Sequence, residues 1–132
     1  MRERVKRYFK DFEKDFLNLK EALKLAKTDL DIDGTIKRFE LCYELSWKLI
    51  KEYLADKGII VKNPRDTFKE AVKNELIQEE EKWMEMIEDR NFLVHTYSSE
   101  ESRTVFDKIK TIHINVFETL YKKIEEEFKN EK

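Results

Sequence analysis

Apolar residues in the first part of the chain recur at alternating intervals of four and three. Positions with this spacing share one face of a helix, so the pattern predicts an amphipathic helix over about residues 2–27. We expect this face to be buried in the core of a helical bundle; the alternative is a helix that binds a partner. The predicted face consists of Val5, Phe9, Phe12, Phe16, Leu19, Leu23 and Ala26.

Residues 29–34 contain three aspartates and a glycine, a composition typical of a turn. A calcium-binding loop also places aspartates around a glycine. Residues 35–39, however, have a helical pattern where such a loop would continue its series of ligands. We therefore predict a turn without calcium, in which aspartates cap the next helix.

A second predicted helix, over about residues 33–56, is apolar on two sides. A helix of this kind packs at the centre of a bundle or at a subunit interface. The breadth of its apolar surface favours a homodimer over a monomer. One face contains Ile36, Phe39, Tyr43, Trp47, Ile50 and Leu54, and the other contains Leu41, Cys42, Leu45, Leu49 and Tyr53.

Five charged residues lie between these two faces: Lys37, Glu40, Glu44, Lys48 and Lys51. Most are three or four positions apart, so opposite charges can pair along the helix as a solvated ladder. One alternative is a surface that binds a nucleotide or a partner. Another is that Glu40 and Glu44 form a carboxylate pair for acid–base chemistry or metal binding.

The remaining helices are marked by their ends. Gly58 is placed to end the second helix, and Asn63 with Pro64 is placed to begin a short third one. The acidic run at 78–81 begins a fourth helix. Ser98 begins a fifth helix, which continues nearly to the end of the chain and again has apolar residues at intervals of three and four positions.

Composition supports helices joined by few loops, because the chain contains only 2 glycines and 1 proline among 132 residues. A hydrophobic content of 40% is ample for one core, and 42% charged residues indicate long solvated surfaces. We predict a single all-α domain over residues 1–132, an antiparallel up-and-down four-helix bundle with an additional short helix. The net charge of −2 provides no general attraction to RNA, so RNA binding would need a local basic patch.

The single cysteine, Cys42, cannot form an internal disulfide, which fits a reducing cytoplasm. The charged N-terminal segment lacks the apolar stretch of a signal peptide, and no segment is apolar enough to span a membrane. We expect a cytoplasmic protein. No zinc-ligand spacing or glycine-rich phosphate loop is present, so we expect no metal and no cofactor, and we interpret His113 as structural.

Residues 89–97 are the strongest candidate for chemistry. Arg90, Asn91, His95 and Tyr97 place a cation, an amide, an imidazole and a phenol in a short span. An arginine binds phosphate with a planar fork of donors, and a histidine moves protons near neutral pH, so the set suits chemistry on a phosphodiester. The alternative is that Arg90 pairs with a carboxylate and His95 is a buried structural histidine.

Helical geometry restricts this site. At about 100° per residue, Arg90 and His95 lie about 140° apart on a straight helix and cannot share one face. Either the helix ends between them, or another element or a second subunit completes the site. We expect Arg90 to be helical and residues 95–97 to form the frayed end of that helix.

Four segments, taken in order, resemble the signature of the nucleotidyltransferase substrate-binding protein family: residues 38–51, Pro64–Asp66, Trp83 and residues 89–97. That family belongs to the HEPN superfamily of helical bundles. The resemblance implies a four-helix core, a homodimer and a partner, namely a small nucleotidyltransferase encoded as a separate chain. Such pairs form toxin–antitoxin modules, in which the HEPN member is a ribonuclease that its partner modifies and silences.

The resemblance also implies residue roles. The superfamily motif is an arginine, four to six residues and a histidine, matched by Arg90 and His95, with Asn91 as the polar residue after the arginine. Tyr97 matches a tyrosine that accepts AMP from the partner. In metal-independent RNA cleavage His95 would be the general base or acid, and Arg90 would stabilise charge on the phosphate. Asn91 would orient the phosphate or His95. The function that we favour from the resemblance is a substrate-binding subunit that partners the nucleotidyltransferase. The alternatives are a metal-independent ribonuclease silenced by AMP transfer to Tyr97, and a purely structural bundle.

Overall fold

The computed structural model of the chain describes residues 2–95 and 98–131. This part of the chain contains six α-helices and a π-helical segment, and no β-strand occurs within it. The predicted all-α class is therefore confirmed. The helices are α1 (Glu3–Leu25), α2 (Asp29–Ala55), α3 (Pro64–Lys73), α4 (Glu80–His95), α5 (Ser99–Lys108) and α6 (Ile114–Asn130), and the π-helical segment Ile109–His113 joins α5 to α6.

The stripe predicted for the first helix is buried in the core. Val5, Phe9, Phe12, Phe16, Leu19 and Leu23 are all buried, and Ala26 is half-buried just beyond the end of α1. The apolar face therefore packs inside the chain, which confirms the bundle interpretation over that of a helix binding a partner.

The predicted turn over residues 29–34 is wrong, because α2 begins at Asp29 and includes Gly34. The Thr28 hydroxyl accepts a hydrogen bond from the backbone N–H of Asp31 at 3.1 Å, and the Asp31 carboxylate accepts one from the backbone N–H of Thr28 at 3.1 Å. This reciprocal cap satisfies free donors at the helix start, so the aspartates support a helix there. Hydrogen bonds from the backbone of Lys27 and Thr28 also lower the pKa of Asp31.

Ion pairs show how the first two helices run. Arg2 Nε lies 2.8 Å from Asp56 Oδ1, and Arg4 Nη2 lies 3.1 Å from Glu52 Oε1. Because these pairs join the start of α1 to the end of α2, the helices are antiparallel. Most of the apolar residues on the two faces of α2 are covered inside the chain, and α2 contacts α1, α3 and α5. Leu41, predicted to be on a buried face, is 46% exposed.

The short helix α3 follows a turn with the predicted signals. Gly58 has a φ of 85°, and the N–H of Ile59 donates to the carbonyl of Leu54 at 2.9 Å. The Asn63 side chain then caps α3 by accepting from the N–H of Asp66 at 2.9 Å. A residue with positive φ favours glycine, which explains the clean end of α2 at this point.

The predicted fifth helix is present with one addition. The Ser98 hydroxyl accepts from the N–H of Glu101 at 3.3 Å, so it caps α5 as expected. The π-helical segment at 109–113 was not predicted, because apolar spacing does not distinguish it from an α-helical turn.

The four long helices share one core around the ring of Phe117 on α6. Its centroid lies 6.1 Å from Phe12, 6.0 Å from Phe39 and 6.2 Å from Trp83, on α1, α2 and α4 respectively. Burial of each such side chain stabilises the fold by about 1.5–3 kcal/mol. The up-and-down bundle with one short helix is thus the observed architecture. None of the helices in the described ranges has the length and apolar character needed to span a membrane.

Candidate functional site

Helices α2, α3 and α4 enclose a surface cleft of about 430 Å³. It lies where the middle of α2 faces the start of α3 and the second half of α4. Its lining is aromatic and cationic, with few apolar aliphatic groups. The lining residues are Tyr43, Glu44, Trp47, Asn63, Pro64, Arg65, Ile87, Arg90 and Asn91.

Arg90 reaches from α4 across the cleft to α2. Its Nη2 lies 3.4 Å from Glu44 Oε1, and its guanidinium carbon lies 5.9 Å from the centre of the Tyr43 ring. Nη1 donates a long hydrogen bond of 3.4 Å to the Asn91 side-chain oxygen. The buried Nε has no acceptor among the described residues. Arg90 is therefore held by a carboxylate and a ring but keeps donor capacity that the chain does not use.

Glu44 is the centre of the charge contacts on α2. It accepts a hydrogen bond from Trp47 Nε1 at 3.1 Å, and Lys48 Nζ lies 3.9 Å away. Lys51 Nζ lies 5.8 Å from the centre of the Trp47 ring. The Glu44–Lys48 pair agrees with the predicted ladder, but Glu44 also turns inward to Arg90.

The rest of the predicted charged stripe lies away from this site. Lys37 and Glu40 are not among the residues that line the cleft, so the structure does not bring Glu40 to the site beside Glu44. Within the described ranges no group of three or more histidines, cysteines, aspartates and glutamates is arranged to hold a metal ion.

Arg65 is the second cation of the cleft and was not predicted as a site residue. It is exposed, and its Nη1 lies 3.4 Å from the sulfur of Met84, a weak acceptor. It forms no ion pair with any residue in the described ranges. Burial raises the pKa of Tyr43 to about 12, and Glu44 adds to this, whereas Arg90 and Arg65 act in the opposite direction. Tyr43 is therefore a neutral phenol near physiological pH.

His95 is the last residue of α4 and is exposed. The helix continues without a break from Arg90 to His95, so it does not end between them as one alternative required. The two side chains leave one helix about 140° apart, which requires another element or a second subunit to complete a site using both. Pairing of Arg90 with a carboxylate is confirmed, and burial of His95 is wrong. Thr96 and Tyr97 lie outside the described residues.

His113 is fully buried in the π-helical segment and contacts α4. Its Nε2 donates to Asp89 Oδ2 at 2.6 Å, and its ring stacks on Phe39 with centroids 5.5 Å apart. Its Nδ1 has no partner among the described residues. The structural role predicted for His113 is confirmed. The acidic partner was missed, because a separation of 24 residues leaves no local signal.

Lys108 extends this pair into a network. Its Nζ lies 2.8 Å from Asp89 Oδ1 and 2.7 Å from Glu85 Oε1. Burial alone would raise the pKa of Asp89, but hydrogen bonds from His113 and Lys108 outweigh it and lower that pKa below its ordinary value. Asp89 precedes Arg90, so the network anchors the turn of α4 that presents Arg90 to the cleft.

Two individual proteins are similar to this chain, one in sequence and one in structure. A curated relative from Haemophilus influenzae, described as "Probable ribonuclease HepT", is 34% identical over 86 residues, which are 61% of this chain and 59% of the relative. A crystal structure of a protein from Thermus thermophilus has a TM-score of 0.76 and 27% identity, covering 83% of this chain and 94% of that one.

A family match extends over most of the chain. Residues 7–126 match the family described as "Nucleotidyltransferase substrate binding protein like". This range includes every residue that lines the cleft, as well as His95 and the Asp89–His113 pair. The resemblance drawn from the sequence signature is thereby confirmed. The chain belongs to the nucleotidyltransferase substrate-binding protein family.

Proposed function

We propose that this chain is the substrate-binding subunit of a small separate nucleotidyltransferase and forms the HEPN half of a toxin–antitoxin-type pair. The observation that carries the proposal is the family match over residues 7–126. The surface around the end of α4 supports it. Phe92 and Val94, which precede the exposed His95 by three residues and one residue, are 43% and 54% exposed. Exposed apolar side chains beside polar functional groups are typical of a protein-binding surface.

In this proposal the partner docks at the end of α4 and transfers AMP from ATP to the hydroxyl of Tyr97, two residues beyond His95. A new O–P bond forms at the tyrosine, the bond between the α- and β-phosphates breaks, and pyrophosphate leaves with the proton released to solvent. The test is co-expression with the neighbouring nucleotidyltransferase, followed by copurification and peptide mass spectrometry. We expect an AMP-sized mass on the peptide containing Tyr97, absent from Tyr97→Phe and retained in the control Tyr8→Phe. The same mass on another residue would remove Tyr97 from this role, and failure to copurify would favour a purely structural bundle.

The second candidate function is metal-independent RNA cleavage, with AMP transfer to Tyr97 as the silencing step. It is favoured by the position of Arg90 in the lining of a surface cleft and by the exposure of His95. Arg90 would stabilise charge on the phosphate, Asn91 would orient the phosphate or the imidazole, and His95 would transfer a proton.

The 140° separation sets a condition on this candidate. Because Arg90 and His95 diverge on one straight helix, another element or a second subunit must complete the site, and in this candidate two copies of the motif face each other in a homodimer. This dimer would not depend on the apolar faces of α2, since most of their residues are covered inside the chain. It would instead use the exposed end of α4, where Phe92 and Val94 lie.

The experiment is RNA cleavage by the purified chain in the presence of a chelator, with His95→Ala as the control for contaminating nuclease. Cleavage by the wild type alone would establish the ribonuclease. Arg90→Lys keeps the charge but loses the planar fork, and we expect it to lose most activity as well. Equal cleavage by the wild type and His95→Ala would point to a contaminant. No cleavage by either would leave the substrate-binding subunit as the function.

A further inference from the structure

We propose that the cleft between α2, α3 and α4 binds one nucleotide unit, with its base against Trp47 and its phosphate between Arg65 and Arg90. The proposal deepens the proposed function, since Arg90 belongs to both. It gives roles to Trp47 and Arg65, which lie outside the motif at residues 90–97. The ligand class is a nucleoside phosphate, either free or as one residue of a single-stranded RNA.

The charge of the cleft favours an anion. Two arginines and one carboxylate, Glu44, line it, and Arg65 has no ion-pair partner in the described ranges. The chain as a whole has a net charge of −2. A local excess of positive charge on such a chain directs an anionic ligand to this place, because screening limits the influence of more distant charges to about 10 Å.

The geometry of Arg90 favours a phosphate among anions. Nη2 is paired with Glu44, whereas the Nε–H has no acceptor among the described residues. A guanidinium presents five donors in a rigid fork, and phosphate oxygens accept them in pairs. Because Nε is a buried atom, a phosphate in the cleft would bind the Nη1 donors, whose hydrogen bond to Asn91 is long at 3.4 Å. Arg65, which lines the same cleft from α3, would contact the remaining oxygens.

The other walls favour a planar ring. Trp47 is half-buried, and Pro64 and Ile87 add apolar surface beside it. Stacking of a base on an aromatic side chain tolerates any base, because each base presents a π-face. The volume of about 430 Å³ lies within the range of small-molecule sites, roughly 300–1,000 Å³. An inorganic anion would make no use of this apolar surface.

The test is a titration of the purified chain with 5′-AMP, followed by tryptophan fluorescence. The chain has 2 tryptophans, and Trp83 is only 2% exposed, so a change in emission reports on Trp47. We expect saturable binding, with adenosine and inorganic phosphate each about tenfold weaker or worse because each lacks half of the contacts. The measurement needs neither cleavage nor a partner, so failure of the proposed function would not affect it.

Two variants on the same helix locate the ligand. We expect Arg65→Gln to weaken AMP binding about fivefold or more through loss of a charge-assisted hydrogen bond, and Lys69→Gln to leave it unchanged. Both side chains are exposed, so both variants should fold. Lys69 lines a neighbouring groove of about 660 Å³. Weakening by Lys69→Gln alone would place the ligand in that groove and overturn the proposal.

Trp47→Leu removes the aromatic surface, and its affinity is measured by calorimetry because the fluorescent reporter is gone. We expect AMP binding to fall about tenfold, in line with loss of one base stack. Unchanged affinity in this variant would overturn the placement of the base.

The source of the nucleotide is identified by a competitor, a 2′-O-methyl RNA trinucleotide that cannot be cleaved through its 2′-oxygen. If the trinucleotide binds more tightly than AMP and displaces it, the cleft holds part of an RNA strand. If it binds more weakly than AMP, the cleft is a site for free nucleotide. Either result supports the binding of a nucleoside phosphate in the cleft. Equal affinity for AMP and inorganic phosphate, or no saturable binding of AMP or trinucleotide at millimolar concentration, would overturn it.

Discussion

His113 Nε2 lies 2.6 Å from Asp89 Oδ2, and the residue that follows Asp89 is Arg90. His113, the second histidine of the chain, is therefore buried and binds the helix α4, which carries Arg90. Because Lys108 binds the other oxygen of Asp89, this carboxylate is held from two positions at once.

The first prediction concerns the pH dependence of stability. The pKa of Asp89 is lowered in the folded chain, so its ionised form stabilises the fold. This contribution is complete above the ordinary aspartate pKa of about 3.9 and is lost as pH falls through the lower folded pKa. At pH 6 we expect Asp89→Asn to lower the free energy of unfolding by about 1.5–3 kcal/mol.

Chemical denaturation at several pH values checks this prediction. Between about pH 5 and pH 2 the stability of the wild type should fall more steeply than that of Asp89→Asn, because only the wild type loses the charge. Asp33→Asn, at an exposed position of α2, is the control and should follow the wild type. Parallel curves for the wild type and Asp89→Asn would contradict the assignment.

The second prediction separates the two histidines. His113→Ala removes a fully buried ring that stacks on Phe39, so we expect it to lower the free energy of unfolding by about 2–5 kcal/mol. His95→Ala removes an exposed side chain at a helix end and should change it by less than about 0.5 kcal/mol. Urea denaturation of both variants measures the difference. Strong destabilisation by His95→Ala would disqualify that variant as a test of catalysis.

The third prediction concerns the 2 glycines of the chain, which differ in backbone conformation: one is helical and the other has a positive φ. Gly34 lies inside α2, and an added Cβ would meet no atom within 4 Å, so Gly34→Ala should stabilise the fold by about 0.5–1 kcal/mol. Gly58 has a φ of 85°, so Gly58→Ala should destabilise it by roughly 1–2 kcal/mol. Thermal and urea denaturation measure whether each variant is more or less stable than the wild type. Destabilisation by Gly34→Ala would argue against a helix at that position.

The fourth prediction concerns the reactivity of Cys42. Burial raises the pKa of its thiol, and the negative charge of Asp15 adds to this, so the thiol stays protonated at pH 8. Because the thiolate is the reactive form, the folded chain should not react with iodoacetamide, whereas the unfolded chain should react fully. Mass spectrometry of the labelled protein measures both. Equal labelling rates in the folded and unfolded chains would contradict the burial of Cys42.

The helices could be predicted because each has a local cause. The stripe from Val5 to Leu23 follows from spacing alone, and Asn63 with Pro64 identifies a helix start by its chemistry. The segment from Asp29 to Gly34 was mispredicted because turn-forming residues were weighed without Thr28, the residue before them. That hydroxyl converts a turn composition into a helix cap, so one residue decides between the two structures.

The site could be predicted only in part. The span that contains Arg90 and His95 was identified from residue types and family resemblance. Pairing of Arg90 with Glu44 and placement of Arg65 beside them depend on how three helices pack, and no local pattern encodes that. The Asp89–His113 pair could not be predicted for the same reason, because it depends on how α4 packs against the π-helical segment.

The π-helical segment at 109–113 has a consequence for the length of the chain. Each residue of an α-helix advances its direction by about 100°, so one inserted or deleted residue here would rotate all of α6 relative to α5. Phe117 would then leave the rings of Phe12, Phe39 and Trp83. An insertion in the connection between α2 and α3 only lengthens a surface loop. Relatives of this fold should therefore vary in length in that loop and keep a constant residue count between Ser99 and Asn130.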